Sequence, residues 1–139
     1  MSTTLLAGIS RTTEPQTMLR RFLAVDAVVT GANGLAYAAV SGPLGRLLGV
    51  DATLLAGLGV FLAAYGLAVG LLAALSRPPR AGVTLVVDAN ILWSLLGVAA
   101  LALWLDPTAV GAVWTVLQAL TVAGFAVLQW SALRATATA

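Results

Sequence analysis

The chain reads as an all-α, four-transmembrane-helix bundle, and three observations predict it. Apolar residues make up 60% of the 139 positions and charged residues only 9%, against roughly a quarter charged in soluble domains. The apolar residues gather in four stretches, each about the ~20 residues that cross a hydrocarbon core. Polar breakers and all seven arginines fall between those stretches or at their ends. Spans are expected near 20–41, 52–75, 82–104 and 107–132. Together they make one membrane domain, 18–134, between a polar N-terminal tail, 1–17, and a short C-terminal tail, 135–139.

The first span follows Arg20-Arg21 and is broken by Ser41-Gly-Pro-Leu-Gly45, after which residues 44–50 read as a short amphipathic segment. Asp51-Ala-Thr opens the second span as an N-cap, its carboxylate accepting from otherwise unpaired backbone N–H groups. Ser76-Arg-Pro-Pro-Arg80 is a turn that cannot continue a helix. Asp106-Pro-Thr is expected to cap the fourth span, with Pro107 at the first helical position, where its missing N–H is harmless. Arg20-Arg21, an apolar run and Ala36-Tyr37-Ala38 also have the outline of a cleaved signal peptide. Asp26 and Asn33 within that run favour a retained span.

Arginine placement predicts the orientation. Arg11, Arg20, Arg21, Arg77, Arg80 and Arg134 flank one side of the spans, and Arg46 alone flanks the other. The positive-inside rule then puts both termini in the cytoplasm. Trp104 and Trp130 fall near opposite span ends, where interfacial aromatics belong. An all-Arg cation set in an Ala/Leu/Val/Gly-rich chain points to a GC-rich bacterial genome, and hence to a bacterial plasma membrane.

Composition also excludes chemistry. With no Cys and no His, there is no disulfide, thiolate nucleophile, typical zinc site or His-ligated haem. A net charge of only +2 gives no basic surface for nucleic acid. No cofactor or metal is implied, and an enzyme is not expected, although carboxylate chemistry remains open.

The polar residues inside the spans carry the functional expectations. Asp26, Thr30, Asn33 and Tyr37 recur at i, i+4, i+7 and i+11, which places them on one helical face turned into the bundle. Beside them runs a small-residue stripe, Ala27, Gly31, Gly34 and Ala38. On the second span Gly59, Gly66 and Gly70, with Ala52, Ala56, Ala63 and Ala73, form a close-packing face, either within the bundle or across a homodimer interface. Gln118 and Gln129 share a face of the fourth span. Gln118 and Asn33 both fall near the bilayer midplane, where they are expected to exchange amide hydrogen bonds. On the third span Asn90 and Ser94 form one edge and Thr84 and Asp88 another, since Asp88 and Asn90 point roughly 160° apart.

Asp26 and Asp88 sit in similar settings, Leu-Ala-Val-Asp-Ala and Leu-Val-Val-Asp-Ala, and at similar depths, about 7–9 Å inside the Arg-rich boundary at 1.5 Å per residue. With Asp51-x-Thr and Asp106-x-Thr they suggest a duplicated helical hairpin. An ionisable residue inside a span is a functional-site hypothesis by default. Three readings follow. The acids, with Gln129 at the same depth, are expected to converge in one layer, and in the structural reading they are neutral or paired with an interfacial Arg and fix helix register. Alternatively they exchange protons against a cationic small molecule. In the third reading the inward polar groups bind a lipid or quinone between the helices.

Asp26-Ala-Val-Val-Thr-Gly-Ala-Asn33-Gly-Leu-Ala-Tyr37, Ala89-Asn90-Ile-Leu-Trp93 and Val116-Leu-Gln118-Ala-Leu resemble the first, third and fourth spans of uncharacterised four-span integral membrane proteins of actinobacterial type. The likeness covers most of residues 18–130 and implies the fold and a membrane location, but no catalytic residue. Small multidrug resistance transporters are similar in having four spans and an acidic residue in the first, though theirs is Glu in an aromatic setting that Asp26 lacks, and DoxX-like proteins are similar in size and span count alone.

Overall fold

The computed structural model describes residues 14–138, which form five helices. These are α1 (Glu14–Ala39), α2 (Ser41–Leu48), α3 (Ala52–Ala74), α4 (Arg80–Leu103) and α5 (Ala109–Thr138). All except α2 are long and apolar enough to cross a membrane. Helices suit lipid because each satisfies its own backbone polar groups where no water can. The chain is an all-α, multi-pass membrane protein.

Helix ends follow local chemistry, with some shifts from expectation. Helix α1 starts at Glu14, so residues 14–17 belong to the first helix and not to the tail; residues 1–13 lie outside the described part. Helix α5 likewise continues through the expected C-terminal tail to Thr138. Asp51 caps α3 as expected, its Oδ2 accepting from Leu54 N at 3.0 Å. Asp106 does not cap α5. Thr108 does, its Oγ1 accepting from Gly111 N at 3.1 Å. The same hydroxyl donates to Leu47 O at 2.7 Å, and Thr108 N donates to Leu48 O at 3.1 Å. Thr108 thus satisfies the start of one helix and the end of another together, which the Asp106 side chain, two residues earlier, does not.

Two glycines make that junction close. Gly49 ends α2 in the left-handed region, φ 71°, donating its N–H to Gly45 O, a conformation open to Gly without a Cβ penalty. A Cβ on Gly111 would lie 1.8 Å from Leu48 O, so only Gly admits this approach of α2 to α5.

The bundle is built from two pairs. Helix α1 packs along the length of α3, and α4 packs along α5. Contact between α1 and α5 joins the pairs, whereas α3 and α4, consecutive in sequence, scarcely meet. The first pair closes through backbone. A Cβ on Gly34 would sit 2.4 Å from Ala63 N, and one on Gly59 2.4 Å from Ala38 N. One on Gly66 would sit 2.8 Å from Gly31 N. The small stripe of α1 therefore meets Gly59 and Gly66 within the chain. Gly70 is looser, its nearest neighbour being Ala27 Cβ at 3.6 Å.

Two apolar clusters fill the interior. Leu19, Leu23, Val69, Val83, Val87, Ala126 and Leu133 bring all four long helices together at the Arg-rich end. Tyr37, Leu48, Leu55 and Leu62 fill the other end. At the Arg-rich end two guanidiniums bind backbone: Arg20 Nε donates to Ala73 O at 3.0 Å, and Arg80 Nη1 approaches Leu133 O at 3.5 Å. They tie the start of α1 to the end of α3, and the start of α4 to the last turns of α5.

Candidate functional site: a polar layer and the cleft beside it

Asp26 is completely buried, and its carboxylate accepts from three neutral donors. Thr30 Oγ1, one turn along α1, lies 2.8 Å from Oδ1. Asn90 Nδ2 of α4 and Gln129 Nε2 of α5 lie 2.9 and 2.7 Å from Oδ2. Asn90 Nδ2 also reaches Gln129 Oε1 at 3.1 Å. The hydroxyl of Tyr65 on α3 donates to Asn90 Oδ1 at 3.0 Å. Every long helix contributes at least one member, so the network ties four spans together. A buried carboxylate is tolerated when its lone pairs are taken up in this way.

Of the two structural alternatives, an ion pair with an interfacial arginine is not what holds Asp26, because among the described residues its oxygens meet Thr30, Asn90 and Gln129. The expected convergence of two carboxylates and an amide is corrected as well. Asp88 is exposed on the outer face of α4, together with Thr84, while Asn90 and Ser94 are buried. Two residues along a helix turn a side chain by roughly 200°, so burying Asn90 turns Asp88 outward. Asn90 occupies the place that matching depth alone suggested for Asp88. Ser94 adds a second tie from α4 to α5, its Oγ lying 3.0 Å from both Asn90 O and Ala119 O.

On the face of α1 read from its spacing, Asp26, Thr30 and Tyr37 are buried and Asn33 is half-buried. Beyond Asp26 and Thr30, Asn33 Nδ2 donates to Gln118 Oε1 at 3.2 Å, the expected midplane amide pair. Next, Tyr37 accepts from the indole N–H of Trp114. Polar residues of α1 thus meet α4 and α5 while its small stripe meets α3. Sequence reasoning did not assign Tyr65 to the layer. The signal was available, because Tyr65 carries the last polar side chain before the end of α3, and a buried Tyr hydroxyl usually finds a partner.

Between the splayed helices α3 and α4 runs a cleft made of two adjoining cavities. The first, about 320 Å³, borders the polar layer at Thr30, Tyr65 and Asn90 and has Asn33 and Gln118 on its wall. The second, about 250 Å³, continues toward the α2 end past Tyr37, Leu55, Gly97, Trp104 and Trp114. Leu58, Trp93, Leu96 and Gln118 border both. Phe61, itself more than half exposed, spans the gap between the helices. Its ring lies 6.1 Å from that of Tyr65 and 6.2 Å from that of Trp93, at interplanar angles of 22° and 16°. Among the described residues, no Asp, Glu or Arg lines either cavity.

The layer and the cleft differ chemically. In the layer the polar atoms consume one another, leaving a rigid tie. In the cleft, apolar and aromatic walls surround amides and hydroxyls that are only partly engaged, the usual composition of a small-molecule site. No family model matches the chain, and no similar curated protein or solved structure is found.

Proposed function

We propose that this is a membrane-embedded binding protein that holds a lipid-soluble molecule in the cleft between α3 and α4. The observation that carries the reading is the cleft itself. Two adjoining cavities of about 320 and 250 Å³ lie between helices that splay apart. Together they are of the size of ordinary ligand sites. An apolar guest partitions into the bilayer first and then enters sideways, past Phe61, without crossing water. The polar layer serves this function by holding the frame, so that α3 and α4 splay without the bundle coming apart.

Proton-coupled transport of a cation draws less support, because neither Asp26 nor Asp88 borders the cleft. Binding without catalysis fits the absence of His and Cys. We further infer a bacterial plasma membrane with both termini cytoplasmic. Arg20, Arg77, Arg80 and Arg134 belong to the end where α1 starts and α5 finishes, and positive residues favour the inner face. The resemblance to four-span proteins of actinobacterial type is in keeping with this.

Native mass spectrometry after gentle detergent extraction tests the reading. The expected result is a retained lipid-class molecule that is lost when Leu96→Trp fills the cleft. A parent protein that stays bare both as extracted and after incubation with total membrane lipid would overturn it.

A further inference from the structure

The cleft presents hydrogen-bond donors with nothing to bind. Gln118 uses Oε1 to accept from Asn33, and its Nε2 has no partner among the described residues. Tyr37 accepts from Trp114, and its own O–H has no acceptor there. The indole N–H of Trp93 is likewise without a partner among the described residues. All three side chains line the 250 Å³ cavity. Trp93 and Gln118 lie toward the middle of their helices, where no bulk water is at hand and an unmet N–H in hydrocarbon is costly, while Tyr37 lies nearer the α2 end. On the wall of the 250 Å³ cavity these three unmet groups are donors, so the guest that suits them carries acceptors.

Charge narrows the class further. With neither a carboxylate nor a guanidinium on the cleft wall among the described residues, a charged guest would stand unpaired in a low-dielectric slot, which costs far more than burying a neutral group. Shape narrows it again. Phe61, Tyr65 and Trp93 form a run of nearly parallel rings on the adjoining 320 Å³ cavity, and Trp93 carries that run to the border of the 250 Å³ one. Such rings take a flat ring in offset or edge contact better than a branched or kinked chain.

We propose that the cavity takes the ring of a quinone, its carbonyl oxygens accepting from Gln118 Nε2, the Trp93 indole and the Tyr37 hydroxyl, with its apolar tail leaving between α3 and α4. The inference rests on the cleft being a binding site, and adds the chemistry of the guest. It concerns binding alone and invokes no electron transfer.

The test uses two probes with the same tail, decyl-benzoquinone and decylbenzene, titrated against the full chain by native mass spectrometry. The quinone is expected to fill one site and to bind at least tenfold tighter than decylbenzene. Gln118→Leu and Trp93→Phe are each expected to weaken the quinone about three- to thirtyfold, the range of one hydrogen bond in a membrane protein. Neither should alter decylbenzene. Trp93→Phe keeps a ring in place and removes only the donor, so it decides the matter even where Gln118→Leu unfolds the bundle. Equal binding of both probes, with quinone affinity unchanged in Trp93→Phe, sinks the quinone assignment and leaves the cleft standing. Binding of neither probe sinks both.

Discussion

The two sides of α3 are built on opposite principles. Toward α1, Gly59 and Gly66 bring backbone against backbone, with no room for even one added carbon. Toward α4 there is a gap of cavities, bridged at its mouth by the Phe61 ring. In lipid, helices gain little from hiding hydrocarbon, so close van der Waals packing and buried hydrogen bonds supply the association. The α1–α3 seam uses the first of these and the Asp26 layer the second. Where neither operates, α3 and α4 drift apart, and that is where a guest fits. The contrast teaches that the closed seam and the satisfied layer are what allow the other side to stay open.

The largest expected effect comes from breaking the seam. Gly59→Leu drives a side chain into the Ala38 and Gly34 backbone, and overpacking of this kind costs about 3 kcal/mol or more where the backbone must yield. Thermal unfolding in detergent should show a large drop in midpoint. Gly70→Ala is the control, since its added methyl meets Ala27 at ordinary contact distance, and its midpoint should match the parent's. A comparable fall in both would mean that the seam is not selectively tight.

Next comes the layer. Asp26→Leu leaves Thr30, Asn90 and Gln129 without their shared acceptor, and the two interhelical bonds, at about 0.6–1.7 kcal/mol each, make the loss about 1–3 kcal/mol. Asp26→Asn keeps one acceptor oxygen and should lose less. The order parent, Asn, Leu in unfolding midpoint checks this, and an Asn variant as unstable as Leu would contradict the hydrogen-bond account.

Opening the cleft should cost less. Phe61→Ala removes a ring more than half exposed to lipid, so stability is expected to fall by about 1 kcal/mol or less. Its signature lies in access: hydrophobic quenchers should reach Trp93 faster, read as steeper fluorescence quenching. Unchanged quenching would show that Phe61 does not guard the mouth.

Asp88→Leu should have the smallest effect on the isolated chain, and in the favourable direction, because it removes an exposed polar group from a lipid-facing surface. A drop in stability beyond about 1 kcal/mol would reveal a partner for Asp88 outside this chain.

Much of this architecture is legible in the sequence. The spans, the Asp51 cap, the two faces of α1 and the Asn33–Gln118 pair follow from composition and from the 100° step of a helix, which are local rules. Asp88 shows where local rules stop. Its sequence setting and depth match those of Asp26, yet only the choice of inward edge on α4 separates a buried ligand of the network from a lipid-facing side chain. Helical phase states that Asp88 and Asn90 cannot both point inward, and it does not say which one does.

By itself, then, the sequence determined the membrane location, the helices and the face each offers, because hydrophobicity and periodicity act within a single helix. Only the tertiary structure decided that Gly59 and Gly66 meet α1, that Asn90 and not Asp88 joins Asp26, and that α3 and α4 stand apart. Each of those outcomes depends on how closely two helices approach, and that distance is set by the pair: by which small residues face each other and which donors find an acceptor across the gap.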